Sequence, residues 1–193
     1  MENKTGSSNK TTVIVTLVLI GVLILASVLY SSLSEKSENL LPLSTPSPTA
    51  GNEKSPVKAL DFTVYDAENR EVRLSDFFGK PIVLNFWSSR CSPCQIEMPY
   101  FQKAFEEFGE EVEFVMVNLT DGNWDTVTSA SAYTKKNSYT FPIYFDTTLD
   151  AAINYAVYSI PATYFIDRDG FIKTYRIGVL TEDLLQTGIN LTR

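Results

Sequence analysis

Pro81-Ile82-Val83-Leu84-Asn85-Phe86-Trp87-Ser88-Ser89-Arg90-Cys91-Ser92-Pro93-Cys94 is the stretch on which the fold turns. Its first seven residues are the most apolar segment outside the N-terminus, and their continuity predicts a central strand buried on both faces. The loop Ser88-Ser89-Arg90 follows, and then two cysteines three positions apart. From residue 94 to 108 the apolar period changes to a helical one, with Met98, Phe101, Phe105 and Phe108 on one face and Gly109 as the stop. Cys91 is therefore expected at a helix N-terminus, where unpaired backbone N–H groups and the helix dipole favour a thiolate. Cys94 lies nearly one turn further in, within reach of a mixed disulfide formed on Cys91. Pro93 suits the first turn, where its missing donor costs nothing. A bond closing so short a loop adds little stability, so redox exchange explains this spacing better than a structural staple does.

Outward from this stretch, short strands alternate with helices. Two strands are expected at 62–65 and 72–74, another at 112–118, a helix over 124–136 with Asn123 as its cap, and a strand at 141–145. A short helix follows around 149–156. A hairpin turns about Arg168-Asp169-Gly170, and a helix over 182–190 closes the chain. The class is α/β, a three-layer sandwich on a mixed sheet with a parallel core and antiparallel pairing from the late hairpin.

Composition narrows the chemistry. The chain has 193 residues, no histidine and two cysteines. This excludes Ser-His-Asp and Cys-His pairs, histidine-ligated metals and four-thiolate clusters built from this chain alone. Residues 1–57 hold four Lys and four Glu, so the whole net charge of −7 falls on the region after them, which has no basic block to suit nucleic acid.

Residues 13–30 carry no charge, and only Thr16, Gly21 and Ser27 among them fall outside the apolar class. Eighteen helical residues rise about 27 Å, close to the thickness of a bilayer's hydrocarbon core. A transmembrane signal-anchor over 13–30 is expected, with 1–12 as a cytoplasmic tail. Lys4 and Lys10 before the span favour an N-terminus inside the cell membrane and a catalytic domain outside. Residues 31–57, rich in Ser and Pro, read as a flexible tether, and 58–193 as the folded domain.

Cys91-Ser92-Pro93-Cys94 after Asn85-Phe86-Trp87, together with Ile160-Pro161-Ala162-Thr163-Tyr164-Phe165-Ile166-Asp167, resembles the thioredoxin superfamily. The likeness is greatest to its membrane-anchored TlpA/ResA-like thiol–disulfide oxidoreductases, and it spans about residues 58–190. The resemblance implies a thioredoxin-like fold and a cis peptide bond before Pro161, with Ile160 and Pro161 meeting substrate. It also implies that Glu97 assists proton movement at the thiols. A carboxylate three residues beyond Cys94 shares its helix face, and it could equally serve only the helix dipole. Asn85 stands where thioredoxins proper carry a buried aspartate. Arg90 departs from the family's aromatic residue before the first cysteine; a cation there favours the Cys91 thiolate or is simply solvated. Trp87 is expected mainly as packing beneath the site, with a substrate contact as the alternative.

The implied activity is reduction of disulfides in exported proteins, including a role in cytochrome c maturation. The redox-active disulfide is its only cofactor, and a membrane thiol–disulfide donor and the lipid bilayer are its partners. Two other readings use the same residues: a thiol peroxidase of peroxiredoxin type, and a non-catalytic binding module on the same fold.

Overall fold

The computed structural model describes residues 13, 14, 17, 19–25, 27 and 56–193. The expected tail over 1–12 and all but the last two residues of the expected tether over 31–57 lie outside them. Within the expected anchor the described positions are helical and exposed. Among the described residues no helix is long and apolar enough to cross a membrane.

Seven strands form one sheet: β1 Thr63–Tyr65, β2 Glu71–Arg73, β3 Ile82–Trp87, β4 Glu113–Asn118, β5 Ile143–Phe145, β6 Ala162–Ile166 and β7 Ile172–Ile177. Their order is β2-β1-β5-β4-β3-β6-β7. The core β5-β4-β3 is parallel, and every other pairing is antiparallel. Four helices pack on it: α1 Ser92–Phe108, α2 Val127–Lys136, α3 Asp150–Asn154 and α4 Glu182–Asn190, besides a 3-10 turn at Leu74–Phe77.

Every residue of β3 is buried, as its unbroken apolar run predicts. Val83 and Trp87 join a core with Met98 and Phe101 of α1, Ala130 of α2, and Leu185 and Ile189 of α4. Ile82, Leu84 and Phe86 face the other core, with Phe62, Leu74, Ala151 and Tyr155. The strand thus alternates between two apolar layers, and its C-terminal end delivers the chain to the cysteine loop.

Helix α2 starts three residues later than its expected position, with Thr126 as cap and Ser129 completing a reciprocal capping box. The reason is local: one Asp121 carboxylate oxygen accepts the N–H groups of Asn123, Trp124 and Asp125, winding them into a turn outside the helix. Trp124 is left exposed. β5 begins after Pro142, which has no N–H to give a ladder. Helix α1 runs unbroken through Pro99, where a bend is expected.

Gly188 of α4 lies against the buried Phe165 ring, which occupies the space a Cβ would need. Gly188→Ala is expected to lower stability by about 2–3 kcal/mol, read as a fall in Tm of about 10 °C.

Candidate active site

β3 ends at Trp87, and α1 begins at Ser92 with Cys91 as its N-cap, four residues beyond the strand. Cys91 and Cys94 are joined in a disulfide with Cα atoms 5.2 Å apart. The two sulfurs are placed unequally. Cys91 is partly exposed, whereas Cys94 is fully buried in the core. The Cys94 N–H donates to Cys91 Sγ at 3.2 Å, so an amide of the helix's first turn points at the sulfur of the partly exposed cysteine.

Ile160-Pro161 is a cis peptide bond, the one cis bond among the described residues. The Ile160 carbonyl oxygen lies 3.8 Å from Cys91 Sγ. Antiparallel pairing of β6 with β3 sets Ala162 against Phe86 and Thr163 against Asn85, which brings this bond beside Cys91 from 69 residues away. Ile160, Pro161, Cys91 and Cys94 thus come together as the family likeness implies.

Glu97 joins them from beneath. Its carboxyl is fully buried. Oε1 accepts from Asn85 Nδ2 at 3.0 Å, and Oε2 accepts from the Leu180 N–H at 2.9 Å. Asn85 Nδ2 also donates to Thr163 Oγ1 at 3.0 Å, tying the acid to the strand that follows Pro161. Burial pushes Glu97 up from 4.5 to about 7, against the opposing pull of the Leu180 and Asn85 hydrogen bonds. A carboxyl in that range can hold or release a proton at neutral pH, one helical turn from Cys94.

Arg90 is exposed on the loop, available to a partner surface rather than paired within the domain. Trp87 is fully buried and packs with Tyr133 at a ring separation of 6.0 Å. Its indole packs beneath the site, the role mainly expected of it, and leaves no exposed surface for the alternative substrate contact.

Asp125 is a site residue that sequence reasoning passed over. It is fully buried, and it accepts from Ser88 and Ser89 of the cysteine loop. The usable signal was Asp125-Thr126 ahead of Ser129, a helix-start pattern hidden inside the helix expected over 124–136.

Comparison with known proteins agrees with this geometry. The AhpC/TSA family profile matches residues 57–175. The thiol-disulfide oxidoreductase ResA of Geobacillus thermodenitrificans is 35% identical over 130 residues, covering 66% of this chain and 72% of that protein. The thioredoxin-like protein YneN of Bacillus subtilis is 32% identical over 136 residues, covering 69% of this chain and 78% of the relative. Among solved structures, StoA from Bacillus subtilis superposes with a TM-score of 0.59 at 27% identity, over 69% of this chain and 98% of that one. With a partly exposed cysteine at a helix N-cap, a buried cysteine bonded to it and these relatives, the chain belongs to the thioredoxin-like AhpC/TSA family and is a thiol–disulfide oxidoreductase.

Proposed function

We propose that the chain works as a reductase of protein disulfides outside the cell membrane, held there by a transmembrane anchor over 13–30 and a tether over 31–57. The observation that carries this reading is the inequality of the two sulfurs. Cys91 is reachable beside the Ile160 carbonyl, and Cys94 is buried behind it. The Cys91 thiolate attacks one sulfur of a substrate disulfide and expels the other as a thiolate. Cys94 passes its proton to Glu97 and attacks Cys91 Sγ. The second substrate thiolate leaves, and the Cys91–Cys94 disulfide is formed. Two electrons have moved from the dithiol to the substrate, with no separate cofactor.

An extended substrate segment would lie along Ile160-Pro161 and meet Arg90 at the rim. The oxidised pair must then be recharged by a membrane thiol–disulfide donor. The uncharged apolar run over 13–30 supports an exported substrate, and the resemblance to ResA-like proteins carries the suggestion of a role in cytochrome c maturation.

Titration of the full chain in detergent against a redox buffer at pH 7 tests the direction. A midpoint at or below about −220 mV is expected for a reductase, and one near about −120 mV would make the chain an oxidant.

A further inference from the structure

The turn before Cys91 is held by a buried carboxylate 36 residues further along the chain. Asp125 Oδ1 accepts from Ser89 Oγ at 2.7 Å, the Thr126 N–H at 3.0 Å and Ser129 Oγ at 2.6 Å. Oδ2 accepts from Ser88 Oγ at 2.9 Å, the Ser89 N–H at 2.6 Å and Asn118 Nδ2 at 3.0 Å. All six donors are uncharged, and no ion pair among the described residues includes Asp125. Burial alone would raise this carboxyl, but the bonds from Ser129, Asn118 and Ser89 outweigh it and hold Asp125 below the usual carboxylate range.

A buried anion without a cation is costly unless its acceptor sites are filled. The start of α2 does not account for it, since Thr126 and Ser129 already cap that helix reciprocally. Half of the six bonds go instead to Ser88 and Ser89, whose remaining polar groups complete the turn. Ser88 Oγ accepts the Arg90 N–H at 3.1 Å, which commits its single proton to Asp125. The Ser88 carbonyl accepts the Cys91 N–H at 3.2 Å, and the Ser89 carbonyl accepts from Gln95 Nε2 at 2.7 Å. Fixed in this way, the loop leaves Cys91 at the N-cap with its sulfur facing the Cys94 N–H.

We propose that Asp125 is the positioning residue of the reactive cysteine: by gripping Ser88 and Ser89 it sets Cys91 at the helix N-cap, where the Cys94 N–H stabilises the thiolate. This rests on the reading of Cys91 as the attacking sulfur. It has a distinctive sign. Acting through space, a nearby anion would disfavour the Cys91 thiolate, so its removal would speed Cys91. Acting through the loop, Asp125 favours the thiolate, so its removal slows Cys91.

The test is the rate at which iodoacetamide alkylates Cys91 in the reduced full chain at pH 7, with the labelled residue located by mass spectrometry. Asp125→Asn is expected to react about tenfold more slowly, the worth of about one charge-assisted hydrogen bond, and to raise the midpoint of its pH–rate curve. Arg90 and Glu97, the other charged groups of the loop and of the first turns of α1, are unchanged in this variant. Ser89→Ala, a milder change that decides the matter if Asp125→Asn does not fold, is expected to slow alkylation by a smaller factor. The double variant is expected to be no slower than Asp125→Asn alone, because both act through the same bonds. Asp61→Asn, which removes a carboxylate gripping Ser75 and Arg73 near β1 and β2, should leave the rate unchanged. An Asp125→Asn rate equal to or faster than wild type, or single effects that simply multiply, would overturn the proposal. Wild-type Cys91 that alkylates readily in a chain unable to reduce protein disulfides would sink the reductase reading and leave this one standing.

Discussion

Cys91→Ser is expected to abolish reduction of a protein disulfide, by at least about a thousandfold, while Cys94→Ser leaves the first step intact and stops the second. The asymmetry follows from burial. Of the two cysteines only Cys91 has exposed surface, so a bulky disulfide has one residue of the pair it can meet. With Cys91 gone, the sulfur of Cys94 remains under the core and cannot substitute. With Cys94 gone, Cys91 still forms the mixed disulfide, but nothing resolves it. The Cys94→Ser chain should therefore accumulate as a covalent adduct with its substrate, visible as a mass shift that a thiol reductant reverses. That adduct is also the direct route to the substrate's identity. Equal loss of adduct formation in both variants would show that the order of attack is wrong.

The second large effect belongs to Glu97. In the unfolded chain its carboxyl titrates near 4.5, and in the folded protein near 7. Between those values the folded state keeps a proton that the unfolded state has released, so stability falls as pH rises through this window and levels off above it. The full excursion is about 3 kcal/mol. Glu97→Gln removes it: urea midpoints of the variant should decline less from pH 4.5 to 7 than those of wild type, the remaining slope coming from Asp146, whose carboxyl burial also raises. The gain above pH 7 should be less than the full excursion, because the new amide presents a donor to either Leu180 N–H or Asn85 Nδ2. Asn85 can reduce that conflict by turning its amide, since its Oδ1 is buried without a partner. Resolution of the mixed disulfide in Glu97→Gln should slow by about tenfold to a hundredfold near neutral pH, as expected for loss of a proton acceptor. A wild-type stability curve with no decline across this window would remove Glu97 from the mechanism.

The readable part of this molecule was the part written in neighbouring residues. Ile82 to Trp87 announced a strand buried on both faces because no polar position but Asn85 interrupts it. Cys91 and Cys94 were singled out by spacing and position, whereas the proton role of Glu97 was implied by resemblance, its spacing from Cys94 leaving the helix dipole as an equal account. The helix over 182–190 and the hairpin about Asp169-Gly170 were equally local, and both stand where expected. What failed to show was set by partners far along the chain. The antiparallel insertion of β6 against β3 depends on pairings such as Asn85 with Thr163, which no local period reveals. Asp125 escaped for the same reason. Its partners Ser88 and Ser89 precede it by 37 and 36 residues, and its own surroundings read as the interior of a helix. The cis bond at Pro161 was reached only through resemblance, since an X-Pro sequence alone favours trans.

The chain enters the domain along β7: the Ile172 N–H donates to the Val57 carbonyl, Lys58 pairs with Phe171, and the Ala59 N–H donates to the Gly170 carbonyl. These residues adjoin the hairpin turn, and the register of β3 with β6 puts that turn at the start of β3 while Cys91 follows its end. The first described residues of the domain and Cys91 are therefore at opposite poles, separated by about 20 Å of strand. Under the proposed anchoring, a leash joined at the back of the domain would leave the pole that carries Cys91 clear. A large substrate and, later, a large donor would then each meet Cys91 without slipping between the domain and its anchor.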